Sequence, residues 1–350
     1  MELSKRLKSL IALAAMSMMA FVGGVSAQAN SVGFTVSPVA SSKQVDKRAS
    51  YFDLKLKPGT TESISVKVKN TSKAAMTINT SVAKATTSIN GAVDYQKALT
   101  NKSVDLPADL GKLITTSANK IQLAGGQTKT VTYQVKMPTE SFNGVLSGGI
   151  TFLKPAEKGQ AKAGMTVNNQ YAYTIAVVLH GDHDLTKNDL TLGKIKAKLV
   201  NARNTITIPL ENHTAAFLNQ VATNVKIYKR GGSKVVYQQK TAHGQMAPDS
   251  IYKMPLKVGD KTLSAGKYTA VVKVTSKKQH WTFKQNFEIT SNEAKKLNQK
   301  AVITQKQTPW LLIISLILLI LLIILLLIWY IRRKQKRINE LEQELKDQDK

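Results

Sequence analysis

Apolar and polar residues alternate through most of the chain. Within residues 62–69, Ile64, Val66 and Val68 fall on one face, and Ser63, Ser65, Lys67 and Lys69 on the other. A period of two predicts a half-buried strand. Val131, Tyr133 and Val135 repeat the pattern, as do Ile206 and Ile208, and then Tyr268, Ala270, Val272 and Val274. Turn-forming pairs punctuate these runs: Pro58-Gly59, Asn90-Gly91, Gly125-Gly126, Gly148-Gly149, Gly231-Gly232 and Ala265-Gly266. Residues 225–228 and 235–238 flank Lys229-Arg230-Gly231-Gly232-Ser233-Lys234, which predicts a β-hairpin. Many short strands with regular turns predict sandwiches. The expected fold is mainly β: two tandem immunoglobulin-like β-sandwich domains followed by one transmembrane helix.

The pattern changes near the C-terminus. Residues 310–330 are apolar or aromatic except for Ser315, and the run stops against Arg332, Arg333, Lys334, Lys336 and Arg337. As a helix this run is about 31 Å long, the thickness of a hydrocarbon core. Trp310, Trp329 and Tyr330 mark its two ends. The basic flank predicts a cytoplasmic C-terminus, which places the preceding residues outside. At the other end, Lys5, Arg6 and Lys8 precede a short apolar stretch (10–22) and the small-residue sites Val25-Ser26-Ala27 and Ala27-Gln28-Ala29. This predicts a secretory signal peptide at 1–27, against the alternative of an uncleaved second anchor.

Between these ends the expected units are a first sandwich at 31–154, a small-residue polar linker at 155–164, a second sandwich at 165–290 and a polar stalk at 291–309, helix-prone near 293–297. The span is expected at 310–331 and the basic tail at 332–350. Ile338, Leu341 and Leu345 give that tail one apolar helical face. The sandwiches share a weak echo. Ser65-Val66-Lys67-Val68-Lys69-Asn70-Thr71-Ser72 resembles Ile206-Thr207-Ile208-Pro209-Leu210-Glu211-Asn212-His213-Thr214, each an alternating strand ending in Asn and a hydroxyl residue. Such an Asn suits an Asx-turn at a strand end. Leu263-Ser264-Ala265-Gly266-Lys267-Tyr268 has the form of a tyrosine corner.

Charge and cysteine content narrow the class. The net charge is +28; the leader and the tail carry +2 each, so +24 lies between them, almost all on lysine. Such a field attracts polyanions. Outside a membrane, teichoic acid and an anionic wall are the expected ones and nucleic acid is not; general solubility is the bland alternative. The chain has no cysteine, which fits a Gram-positive bacterium and removes thiol nucleophiles and thiolate metal sites.

Catalytic and metal chemistry find little support. His180-Gly181-Asp182-His183-Asp184 is the best metal candidate, but its spacing matches no standard site and Gly181 suggests a turn. Ser81-Val82-Ala83-Lys84 and Ser264-Ala265-Gly266-Lys267 match Ser-x-x-Lys without the partner motifs such enzymes need. Asp105, Asp109, Glu140 and Glu157 could be imagined as a hydrolase pair, yet nothing places two of them together. Asn70, Asn101 and Asn212 open glycosylation-type triplets, which carry no weight in a bacterium. No sorting signal precedes the apolar run, and Trp310-Leu311-Leu312 spells Trp-x-Leu only by coincidence inside it. No cofactor is expected, and no catalytic or metal residue is assigned.

Several stretches together resemble the WxL-interacting proteins of Gram-positive bacteria. They are Phe34-Thr35-Val36-Ser37-Pro38, Tyr51-Phe52-Asp53-Leu54, Pro58-Gly59, Val68-Lys69-Asn70 and Asn90-Gly91-Ala92-Val93-Asp94-Tyr95. Met137-Pro138, Phe142-Asn143-Gly144, Gly148-Gly149-Ile150-Thr151-Phe152 and Asn169-Gln170-Tyr171-Ala172-Tyr173 continue the series. The resemblance implies a membrane-anchored, non-enzymatic adaptor. Its first domain would bind peptidoglycan, and its second would bind WxL-type surface proteins or host matrix proteins. It brings no residue map with it. Tyr51, Phe52 and Asp53 are either a ligand site or an edge-strand packing motif. A wall-processing enzyme or its regulator, and an extracytoplasmic sensor, remain the alternative functions.

Overall fold

The computed structural model describes residues 32–95, 106–155, 170–259, 262–302 and 310–348. The expected leader and nearly all of the expected linker lie outside the described residues. The architecture is mostly β, with two immunoglobulin-like sandwiches and one long C-terminal apolar helix.

In the first sandwich, β1 (Phe34–Pro38), β3 (Thr61–Asn70), β9 (Thr128–Lys136) and β7 (Ile114–Thr115) form a sheet ordered β1-β3-β9-β7. The facing sheet is ordered β2-β11-β10-β4-β8, from β2 (Phe52–Lys55), β11 (Tyr171–His180), β10 (Val145–Lys154), β4 (Met76–Lys84) and β8 (Lys120–Leu123). The inward positions are those that alternation marks. Ile64, Val66, Val68, Val131, Tyr133 and Val135 pack in one core with Phe52, Leu54, Leu146, Ile150, Phe152, Val177 and Leu179. Each such side chain contributes about 1.5–3 kcal/mol on burial. Tyr133 meets Phe152 edge to face, with centroids 6.3 Å apart, and its hydroxyl pairs with Thr80 Oγ1 at 2.6 Å.

β11 lies in the segment expected to open the second sandwich. Instead it runs antiparallel to β10 over ten paired positions, from Val145↔His180 to Lys154↔Tyr171, and parallel to β2. The physical reason is direct. Ile175, Val177 and Leu179 are apolar on the face that the core of the first sheet leaves open, and consecutive strands pair antiparallel by default. The polar stretch after Lys154 therefore joins two neighbours of one sheet.

The second sandwich pairs a sheet ordered β12-β14-β13 with one ordered β16-β15-β18-β19. The first contains β12 (Leu190–Leu192), β14 (Arg203–Asn212) and β13 (Lys196–Val200), with β17 (Ser250–Lys257) also pairing with β14. The second contains β16 (Val235–Met246), β15 (Leu218–Lys229), β18 (Gly266–Ser276) and β19 (Gln279–Ile289). The expected hairpin is β15–β16, closed by Gly232 N–H donating to the Lys229 carbonyl at 2.9 Å. Tyr268 opens β18 fully buried, with its ring stacked on Phe287 at 5.5 Å.

Both sandwiches belong largely to one compact unit; a second unit comprises Ala197–Thr205, Lys257–Ala265 and Thr290–Lys350. In that second unit the helix Ser291–Lys300 is capped by the Thr290 hydroxyl, which accepts from Glu293 N–H at 3.2 Å. Asn298 accepts from Asn204 Nδ2 and Leu263 N–H, both at 2.8 Å, and donates back to the Leu263 carbonyl at 3.0 Å. The expected stalk is thus tied down over its first part. The last helix, Trp310–Gln348, runs without a break through the expected span and into the basic tail. Its stretch Ile314–Asn339 is long and apolar enough to cross a membrane.

Candidate binding face

β10 presents Leu146, Ile150 and Phe152 to the core, so Ser147, Gly149 and Thr151 point outward. Register brings Ala83 and Ala176 alongside Gly149, and Ser81 and Thr174 alongside Thr151. Thr151 and Thr174 share a hydroxyl–hydroxyl bond of 2.9 Å. The result is a floor of small side chains. Gly149 is required there: a Cβ would lie 2.7 Å from Tyr95 Cβ and 2.7 Å from Thr174 Cγ2. Tyr95 therefore rests on bare backbone.

Two phenols border this floor. Burial pushes the Tyr95 hydroxyl above its usual pKa; the Ser147 hydroxyl offsets part of that rise and the nearby Tyr51 adds to it. Tyr51 is 37% exposed. Its pKa is raised by partial burial and then by the charges of Asp53 and Asp46. Both phenols thus stay neutral at ordinary pH and offer a ring face with a donor at its tip. Beside them, Asp53 Oδ1 pairs with His180 Nε2 at 2.6 Å, and Asp184 lies 3.7 Å from His180 Nδ1. The β2–β11 parallel pairing creates this contact between residues far apart in sequence. In Tyr51-Phe52-Asp53, Phe52 is core, and Tyr51 and Asp53 belong to the outer face.

The His180–Asp184 segment also docks on the Phe142-Asn143-Gly144 loop. Gly181 N–H donates to the Gly144 carbonyl and Asp182 N–H to Phe142, each at 2.8 Å; Gly144 N–H donates to the His183 carbonyl at 2.7 Å. These bonds account for the segment as a folded loop. Among the described residues, no three His, Cys, Asp or Glu side chains come together as a metal site. Asp109 caps the short helix Leu110–Leu113 through Gly111 N–H at 2.9 Å. Ser81 sits within a strand, not at a helix start. Asn101, Asp105 and Glu157 lie outside the described residues.

The motif that carries Tyr95 also joins the two sandwiches. β5 (Thr86–Thr87) and β6 (Val93–Asp94) form a small hairpin with Asn90-Gly91 at its tip. Thr87 Oγ1 bonds Ser250 Oγ at 2.6 Å and accepts from Ala247 N–H at 3.0 Å. The Gly91 carbonyl accepts from Gln245 N–H at 2.7 Å. Gly91 has φ of 71°, and a Cβ there would come 3.0 Å from the Tyr252 hydroxyl, so both conformation and space call for glycine. Val145 N–H, bonded to the Ala215 carbonyl at 2.7 Å, adds a further tie. Asn-Gly marked this turn in the sequence. Nothing local marked Thr87, Ser250 or Asn298, whose partners are distant in the chain.

Tandem sandwiches here carry aromatic and hydroxyl groups on an outer sheet face. Residues 34–154 match the WxL Interacting Protein peptidoglycan binding domain, and residues 162–299 match the host binding domain of the same family. The chain belongs to the WxL-interacting protein family. Both matched domains are binding domains, not enzymes. No curated protein matches the chain. Similar solved structures include the E. coli chaperone DraB, at 14% identity over 73% of this chain and 98% of that one, with a TM-score of 0.27. The class 5 fimbriae chaperone CfaA shows 13% identity over 72% and 98%, with a TM-score of 0.27. A PapD-like domain of human CEP192 shows 10% identity over 44% and 89%, with a TM-score of 0.25. Scores this low carry no functional argument, and the fold rests on the sheet topology above.

Proposed function

We propose that this protein is a non-enzymatic, membrane-anchored adaptor of the Gram-positive cell surface. Its first sandwich holds peptidoglycan at the face bordered by Tyr51 and Tyr95. Its second engages a WxL-type surface protein or a host matrix protein, and the C-terminal helix fixes the assembly in the membrane with the tail inside. The observation that carries this reading is the coincidence of a peptidoglycan-binding match over 34–154 with an outer sheet face on which the neutral phenols Tyr51 and Tyr95 and the exposed Thr174 stand over the part-buried Asp53–His180 pair. Sugar rings offer axial C–H groups and hydroxyls, which suit aromatic faces and fixed polar groups. Hydrogen bonds across the seam between the sandwiches support joint presentation of two binding surfaces. Anchoring raises the effective concentration of each weak contact.

The absence of cysteine allows a clean topology test. Single variants K234C, in the exposed β15–β16 turn, and K346C, in the tail, are treated on intact cells with a membrane-impermeant maleimide. Labelling of K234C, with K346C labelled only after the membrane is opened, supports the anchored orientation. Labelling of K346C on intact cells, or protection of K234C, overturns it.

A further inference from the structure

The outward face of the β16-β15-β18-β19 sheet carries its lysines in a fixed array. Lys240 on β16 and Lys273 on β18 both pair with Asn224 on β15. One row along, Lys226 on β15 and Lys284 on β19 both pair with Val271 on β18. The four ammonium groups therefore zigzag across the strands, one per strand, in the chain-to-chain order Lys240, Lys226, Lys273, Lys284. With strands about 4.8 Å apart and alternate residues about 6.8 Å apart, successive lysines stand roughly 8 Å from one another. Lys240, Lys273 and Lys284 are exposed and Lys226 is half-exposed.

The two rows contain no acid and no aromatic. Their remaining members are Asn224, Thr282, Gln238 and Val271. The acid on the outward positions of these strands, Glu288, pairs across from Lys267, two rows beyond Lys284. Like charges this close repel, so the array costs stability and is relieved by an anion laid across it. A lysine ammonium is a compact point charge that pairs with phosphate without a fixed bidentate geometry, so a row of them suits a flexible chain of phosphates. The lack of stacking rings in the two rows argues against a nucleic acid strand, whose bases are held by aromatics.

We propose that this face of the second sandwich is a docking track for a linear phosphodiester polymer of the wall, of the teichoic-acid type, lying across the strands over Lys240, Lys226, Lys273 and Lys284. Charge complementarity carries the assignment. The choice of a wall polymer over other polyanions rests on the outward placement proposed above. The maleimide experiment tests that placement separately, so failure of the one is distinguishable from failure of the other.

The test uses the full-length protein in an uncharged detergent and fluorescent poly(glycerol phosphate) as the probe. The K226Q/K240Q/K273Q/K284Q variant is compared with K67Q/K69Q/K129Q/K136Q, which removes the same charge from exposed positions of β3 and β9 in the first sandwich. The track variant is expected to bind at least about tenfold more weakly at physiological salt. The slope of log affinity against log salt is expected to fall by about two to three. The control variant and the K226R/K240R/K273R/K284R variant keep their affinity. If the glutamine quadruple does not fold, K240Q/K284Q, at two exposed positions on the edge strands, carries the comparison with K67Q/K136Q. Equal losses in track and control variants, or no loss in either, overturn the proposal, because the field is then generic. Loss of binding to a sulfated glycan with unchanged binding to poly(glycerol phosphate) overturns it too.

Discussion

Asn70 and Asn212 are both fully buried, and each donates from Nδ2 to the carbonyl four residues ahead, Ala74 at 2.8 Å and Ala216 at 2.9 Å. Each also reaches a distant carbonyl: Ala124 at 2.9 Å for Asn70, and Ala247 at 3.0 Å for Asn212. One corner is thus built twice. Replacement of either by Ala orphans buried carbonyls and is expected to cost about 2–3 kcal/mol, measured by denaturant unfolding. A loss under about 0.5 kcal/mol at either site would mean water replaces the side chain. Burial also pushes Tyr133 up to about 12, with the Thr80 bond lowering it in part. The buried phenol therefore favours folding only while the unfolded chain's phenol is also neutral. Stability is expected to hold up to pH near 10 and to fall as pH rises from there towards 12, because the unfolded state then binds fewer protons. Tyr133→Phe flattens that alkaline decline in a thermal-melt series. The Asn corner was legible in the sequence because Asn-Thr-Ser and Asn-His-Thr repeat after alternating strands. The Asp53–His180 contact was not, because pairing of β2 with β11 alone brings the two together.

At the scale of elements, strand content was legible wherever one face is core, as in β3, β9 and β18. Strand partnership was less so. The polar, small-residue stretch after Lys154 has a linker's composition, but composition does not reveal whether its two ends share a sheet. β11 lies between β2 and β10, so a fragment ending at Lys154 leaves β2 without a neighbour and exposes Ile150 and Phe152 beside an empty lane. A fragment of residues 32–154 is expected to be poorly dispersed by NMR and to lack a cooperative melt, whereas 32–184 should show both. Equal cooperativity of the two would refute the assignment of β11 to the first folding unit. The same lesson holds at the seam. Asn90-Gly91 announced a turn, while its seat against Gln245 and Tyr252 follows from tertiary packing.

For the whole molecule, composition was the better guide. The lysine excess pointed to polyanionic partners, the absence of cysteine to a Gram-positive source, and the apolar C-terminal run to a membrane span. What composition left open is whether charge alone attaches the protein to the wall. The structure separates two surfaces that can answer: a neutral aromatic face on the first sandwich and a cationic track on the second. The full-length protein in uncharged detergent, co-sedimented with sacculi stripped of teichoic acid, isolates the first. Binding is expected to persist at high salt and to weaken about tenfold in Tyr51→Ala, which removes an exposed ring without touching the core. Binding that disappears at high salt or with the teichoic acid, or that is the same in Tyr51→Ala, would contradict specific peptidoglycan recognition by this face.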